Sequence, residues 1–208
     1  MNKRIITGVV CVFILLCSPV FAAGDFYVTP QAGVVFLNDS DIPIDGESIG
    51  ISMGFDTGYG LGISAGYDFG IMRIEGEVGY RSNDFDTVSE QGSEYSYPGD
   101  ATALSLLFNC FVDFETGTGF TPYAGVGIGV AKVEFEFAEG SGRFTDDDTV
   151  FAYQFVGGIG YPVAENIVLD ISYRYFATAD PSFNPPHSDV TGAEYGSHNI
   201  YMGVRFCF

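Results

Sequence analysis

The chain has 208 residues, with 27 acidic against 8 basic side chains, a net charge of −19, 28 glycines, 20 phenylalanines, 13 tyrosines and no tryptophan. That balance excludes nucleic acid as a partner, because phosphate binding needs a basic face. The chain is 47% hydrophobic, yet no apolar run after Gly24 is long enough for a spanning helix, which excludes a helical membrane protein.

Lys3 and Arg4 precede an apolar run from Ile5 to Leu16, followed by Ser18, Pro19 and Val20-Phe21-Ala22. This is the pattern of a secretory signal peptide over residues 1–22, with cleavage expected after Ala22. The run is shorter than the ~20 residues of a spanning anchor. Leu16 stands where lipoprotein processing at Cys17 would need a small residue. Without Lys3 and Arg4, six bases face 27 acids, a balance of −21 over a single domain, residues 23–208. Cys110 and Cys207 then sit in an oxidising compartment, but on opposite strand faces and on strands placed across the fold, so no disulfide is expected.

From Gly24 onward the signal is alternation, which predicts an all-β chain of eight strands. Strand one, Phe26 to Phe36, sets Phe26, Val28, Ala32, Val34 and Phe36 against Tyr27, Thr29, Gln31 and Gly33. Strand two repeats the pattern with Tyr59, Leu61, Ile63, Ala65 and Tyr67 against Gly60, Gly62, Ser64, Gly66 and Asp68. Strand three, Met72 to Asn83, alternates Met72, Ile74, Val78 and Tyr80 with Arg73, Glu75, Glu77 and Arg81. Strand four, Thr102 to Phe114, shows Leu104, Leu106, Phe108, Cys110 and Val112 against Ser105, Asn109 and Asp113. Strand five runs from Thr121 to about Phe135, and its pattern blurs after Lys132, where a bulge is expected. Strand six spans Val150 to Tyr161, with Gln154, Gly158 and Gly160 inward. Strand seven, Ile167 to Ala177, sets Leu169, Ile171, Tyr173 and Tyr175 against Asp170, Ser172 and Arg174. Strand eight places His198, Ile200, Met202, Val204, Phe206 and Phe208 opposite Asn199, Tyr201, Gly203, Arg205 and Cys207.

An apolar face that needs cover, opposite a face carrying Arg, Glu and Asn, requires lipid outside and a polar interior: a transmembrane β-barrel. A lipocalin-like soluble barrel would invert the faces. Eight antiparallel strands of ~10 residues in an up-and-down meander fit the span of an outer membrane. Short connections at 68–71, 115–120 and 162–166 belong on the periplasmic side, and long segments at 37–56, 84–100, 137–149 and 178–193 outside. The outer segments and their stems hold nineteen acids, set against the single base Arg143.

The motifs Arg73-Ile74-Glu75-Gly76-Glu77 with Tyr80-Arg81-Ser82-Asn83, Asn109 before Pro122-Tyr123-Ala124-Gly125-Val126-Gly127, Ala152-Tyr153-Gln154, and Leu169-Asp170 with Tyr173-Arg174-Tyr175 lie in this order. In order and spacing they resemble the opacity-protein-like, surface-antigen family of small Gram-negative outer-membrane barrels, over essentially all of residues 25–208. The resemblance implies an eight-stranded monomeric barrel with exposed loops and no single activity, since members serve as adhesins, antigens or proteins of unknown role.

An eight-stranded barrel is only wide enough inside for its own side chains. The inward Arg73, Arg81, Arg174 and Arg205 are therefore expected to pair with Glu75, Glu77, Asp170 and Asp113, plugging the lumen. The alternative is a narrow porin whose path those charges line. Gly125-x-Gly127-x-Gly129 and Gly58-x-Gly60-x-Gly62 lie within strands and lack the turn and helix of a nucleotide loop, so they leave room for large interior side chains and no cofactor is expected. Asp146, Asp147 and Asp148, with Asn38-Asp39-Ser40-Asp41, are weak cation candidates, since hard cations take several oxygen ligands. His187, Ser188 and His198 cannot assemble a triad from adjacent positions that point to opposite faces, so no enzyme is expected. Tyr59, Tyr67, Phe69, Phe114, Phe120, Tyr161, Tyr175 and Phe206 suit interfacial girdles. The alternate residues Val204, Phe206 and Phe208 resemble the strand that outer-membrane assembly machinery recognises. Expected partners are outer-membrane lipid and lipopolysaccharide, that machinery, divalent cations, and host or environmental proteins at the loops, where Phe85, Tyr95, Tyr97, Phe144 and Phe183 are candidate anchors.

Overall fold

The computed structural model describes residues 25–208 except 39, 45–46, 91–92, 96–98, 140–141, 180–181, 184–189 and 192–194. The expected signal segment with Ala22 lies outside the described residues, as do Tyr97, His187 and Ser188. The strands are β1 (Asp25–Leu37), β2 (Ser40–Ile44), β3 (Glu47–Phe55), β4 (Gly58–Asp68), β5 (Met72–Glu90), β6 (Ser93–Tyr95), β7 (Gly99–Asp113), β8 (Thr121–Glu139), β9 (Gly142–Ala164), β10 (Ile167–Thr178), β11 (Ser182–Phe183), β12 (Val190–Thr191) and β13 (Gly196–Cys207).

Eight of them close a barrel. In the order β1, β4, β5, β7, β8, β9, β10, β13, each runs antiparallel to the next, and β13 returns to β1. Period two explains the two faces. Leu61, Ile63, Leu106, Phe108, Val126, Ile128, Phe155 and Ile171 are each just over half exposed on the outer wall, an apolar surface far larger than water tolerates. Their sequence neighbours, among them Ser64, Ser105, Asn109, Gln154 and Ser172, are buried inside. The turn between β4 and β5 is tight: Gly70 takes a left-handed φ of 96°, and its N–H donates to Asp68 Oδ1 at 2.7 Å.

Interior glycines make the close strand approaches possible. A methyl group at Gly60 would strike the Tyr201 hydroxyl, at Gly125 the Phe111 ring, at Gly127 the Asn109 side chain and at Gly158 the Tyr123 ring. Gly33 is tighter still, because there the obstacle is the backbone of Ile200 and Tyr201 at the closing β1–β13 seam. Gly33→Ala is therefore expected to cost about 1–3 kcal/mol in urea unfolding, as overpacking does. The lipid-facing Gly76→Ala, with nothing within 4 Å of the added methyl, is expected to stay within about 0.5 kcal/mol of the parent. Equal midpoints for the two variants would contradict this packing.

Two expectations about the outer end are corrected. The pattern past Lys132 blurs without any bulge: the β7–β8 and β8–β9 registers run unbroken to Gly99↔Phe137 and Glu139↔Gly142. What changes is the sign of the alternation. Ala131, Val133 and Phe135 now point inward and Lys132, Glu134 and Glu136 outward, because here the strand has left lipid for water. For the same reason the segment 137–149 is not a long loop but the upper part of β8 and β9. β5 likewise continues past Asn83 to Glu90, where it pairs with β6 and with β3 of the β2–β3 hairpin. The strands are accordingly unequal, from 11 residues in β4 to 23 in β9, rather than uniformly about ten. An irregularity in the β9–β10 register does occur, at Ile167/Val168 near the periplasmic end.

Candidate functional site: a polar lumen beneath an apolar seal

The inward residues of β5 set the layers of the interior. At the periplasmic level, Arg73 donates through Nε to Asp113 Oδ2 at 2.8 Å and through Nη2 to Oδ1 at 2.9 Å. Its guanidinium lies 4.7 Å from the Tyr123 ring centre and 5.0 Å from that of Phe111. Arg205 grips Asp170 in the same way, Nη2 to Oδ1 at 2.6 Å and Nε to Oδ2 at 3.2 Å. These bidentate pairs are the geometry that best repays desolvated charge. Thr29, Ser64, Glu75 and Ser172 line a small cleft beside them.

The next layer is a continuous network. Glu77 accepts from Arg174 Nη1 at 2.6 Å, from Asn109 Nδ2 at 3.1 Å and from Gln154 Nε2 at 3.3 Å. Gln154 Nε2 also donates to Asn109 Oδ1 at 2.8 Å, and Arg174 Nη2 to Gln31 Oε1 at 2.6 Å. Glu75 is held by neutral donors, Tyr27 and Ser64 hydroxyls at 3.1 Å and Asn109 Nδ2 at 3.2 Å. Above this, Arg81 donates from Nη1 to Ser105 Oγ at 3.0 Å and stacks 3.8 Å over the Phe176 ring. A buried apolar cluster follows, with Ala101, Ala103, Ala131, Val133, Phe135 and Ala152 packed around Phe176 and Tyr195. The interior is thus ion-paired below and sealed with apolar side chains above.

The structure brings together Arg73 with Asp113, Arg174 with Glu77, and Arg205 with Asp170. It does not pair the other two charges: among the described residues, no carboxylate lies within ion-pair distance of Arg81 and no base within that distance of Glu75. The connecting role of Gln31, Asn109 and Gln154 went unnoticed in the sequence, although their inward parity was a signal. Asp146, Asp147 and Asp148 do not converge, since they follow one another along β9. Asp147 points outward to Lys132 Nζ at 3.4 Å, while Asp146 and Asp148 take the other face, opposite Phe135 and Val133. Lys132 also bonds Glu134 at 2.9 Å, so Arg143 is not alone among the outer acids. The register sets Asp84, Asp100 and Glu136 side by side on adjacent strands just above the apolar belt.

On the outer wall, His198 Nδ1 shares a 2.6 Å hydrogen bond with the Tyr173 hydroxyl; its ring stacks on that of Tyr173 and lies tilted 5.2 Å from that of Tyr175. At the periplasmic rim, Tyr67 packs on Phe69 at 4.7 Å and Phe120 on Tyr161 at 4.9 Å. Phe208 donates its N–H to Phe26 O at 2.9 Å, and the two rings lie 6.2 Å apart. Phe206 stands opposite Val28 and Val204 opposite Leu169. Cys110 and Cys207 are free thiols on β7 and β13, strands on opposite sides of the barrel.

Residues 8–208 match the family model described as outer membrane protein beta-barrel domain. The chain belongs to this family. Among its relatives, the Rickettsia prowazekii protein named "Putative adhesin RP828" is 24% identical over 226 residues, covering 99% of both chains. "Putative adhesin RC1281" of Rickettsia conorii is 28% identical over 129 residues, 55% of this chain, which spans about half (52%) of that relative's length. The crystal structure of Neisserial surface protein A superposes with a TM-score of 0.59 at 22% identity, covering 90% of this chain and 100% of that one, a likeness of fold. The chain is an eight-stranded barrel of the cell outer membrane with acidic surface-exposed loops.

Proposed function

We propose that this barrel is a surface-interaction protein of adhesin type, in which the wall is an inert support and the acidic outer segments meet basic patches on host or environmental proteins. The observation that carries the reading is the apolar seal over an ion-paired interior, with acids displayed outward on the strands above it. It agrees with the adhesin names of relatives that align along the full chain. No catalytic step is assigned to it. A secretory signal peptide ending at Ala22 delivers the chain, and the alternate face Val204, Phe206 and Phe208 guides its insertion by the assembly machinery. The barrel works as a monomer among lipid and lipopolysaccharide, whose bridging divalent cations also relieve repulsion between the loops.

The test is attachment of a non-adherent strain displaying the protein to immobilised basic protein and to cultured cells. Attachment is expected to exceed that of the empty strain, to weaken with added salt as exposed charges are screened, and to vanish when the segments 40–55, 85–98, 134–147 and 182–194 are shortened. Equal attachment by the shortened barrel would overturn the proposal. So would discrete conductance steps from the folded protein in planar bilayers, which would make it a narrow porin.

A further inference from the structure

Among the described residues, four arginines are buried in the lumen of this barrel, and three of them have an acid within ion-pair distance. Arg73 and Arg205 each use the same edge of the guanidinium, Nε with Nη2, to hold both oxygens of a carboxylate. In Arg81 that same edge has no protein acceptor: Nη1 is spent on Ser105, while Nε and Nη2 are buried without a partner. The residue is 0% exposed. Glu77 lies towards the Nη1 side, across Gly79, and makes no bond to this edge. A desolvated guanidinium edge with no acceptor is unfavourable, so a fork left unmatched in a packed interior marks a place for an anion.

A second unpartnered group packs on the same Phe176 ring. The Tyr195 hydroxyl, on a residue 1% exposed, is also without a partner. Its ring packs on Phe176 at 5.9 Å, and Phe176 carries the Arg81 guanidinium on its face. We infer that the Arg81 edge, completed by the Tyr195 hydroxyl, binds one small monovalent anion of halide size inside the barrel. The Arg174–Glu77 layer lies on one side of the Arg81 edge and the apolar cluster on the other, surroundings that suit a compact anion better than an organic acid. The carbonyl oxygens of Asn83 and Gln154, likewise unpartnered, need donors that a halide lacks, and water serves those. The bound anion ties β5 to the β10 and β13 side of the wall, and the site does not depend on what the loops bind.

The test is to unfold the full protein purified from outer membranes, refold it in sodium bromide, and locate bromide by its anomalous scattering in crystals. A bromide peak at Arg81 Nε and Nη2 is expected, absent from Arg81→Gln and reduced in occupancy in Tyr195→Phe. In micelles at constant ionic strength, replacing sulfate by halide is expected to raise the unfolding temperature, by roughly 3–5 °C for each tenfold halide increase above saturation. That response should be lost in Arg81→Gln. Water alone on both nitrogens in the bromide-refolded parent would overturn the inference. An equal halide response in Arg81→Gln and the parent would overturn it too.

Discussion

Glu77→Gln is expected to cost the folded barrel about 3–5 kcal/mol, because it leaves Arg174 charged and buried without its counter-ion. The substitution keeps the side chain's shape, so the loss reads charge rather than volume. It also turns one acceptor into an amide donor facing the Asn109 and Gln154 amides, which already donate to that carboxylate. Urea unfolding in lipid vesicles would show it as a lower midpoint with an unchanged slope. Adding Arg174→Gln is expected to recover part of the loss, since residues in one network couple by about 0.5–3 kcal/mol. A single-variant loss below about 1 kcal/mol would mean that water already reaches this layer.

Ile128→Arg, on the lipid face of β8, is expected to cost about 2–4 kcal/mol, the penalty for a cation near the middle of the apolar band. Six residues further along the same face of the same strand stands Glu134, already charged and bonded to Lys132. Glu134→Arg is expected to change stability by no more than about 1 kcal/mol, the scale of an exposed ion pair. The pair of variants therefore locates the lipid boundary on β8 between Ile128 and Glu134. Equal costs for the two would place that boundary elsewhere.

The same boundary explains what was legible in the sequence. Below Lys132 the faces could be read residue by residue, because lipid outside and side chains inside impose opposite demands on neighbours along a strand. Above it the demands exchange, and Val133 and Phe135 become interior where Val126 and Ile128 were exterior. With the sign held constant, this exchange reads as a bulge and the segment 137–149 as a loop. In the lumen, inward parity gave the membership of the charged layer but not its pairing. The carboxylate of Arg73 is Asp113 on β7, forty residues on, and nothing in spacing selects it over Glu75 on the same strand. That Arg81 meets a serine and a phenyl ring instead of an acid depends on the register of β5 against β7 and on where Phe176 falls, both fixed by barrel closure.

The unequal strands have a mechanical consequence. The last β10–β9 pair is Thr178↔Ala152, and β9 continues ten residues beyond it to Gly142. With about 3.3 Å per residue and a tilt near 40°, the β8–β9 tip stands roughly 25 Å farther from the bilayer than the end of β10. β5 also runs on to Glu90, so an approaching body meets the raised β5–β9 side before the shorter β10, β13, β1 and β4 side. Any pull it exerts becomes a torque that tips the barrel in the bilayer, and the rings of Tyr67, Phe69, Phe120 and Tyr161 at the opposite rim are the bearings that resist it.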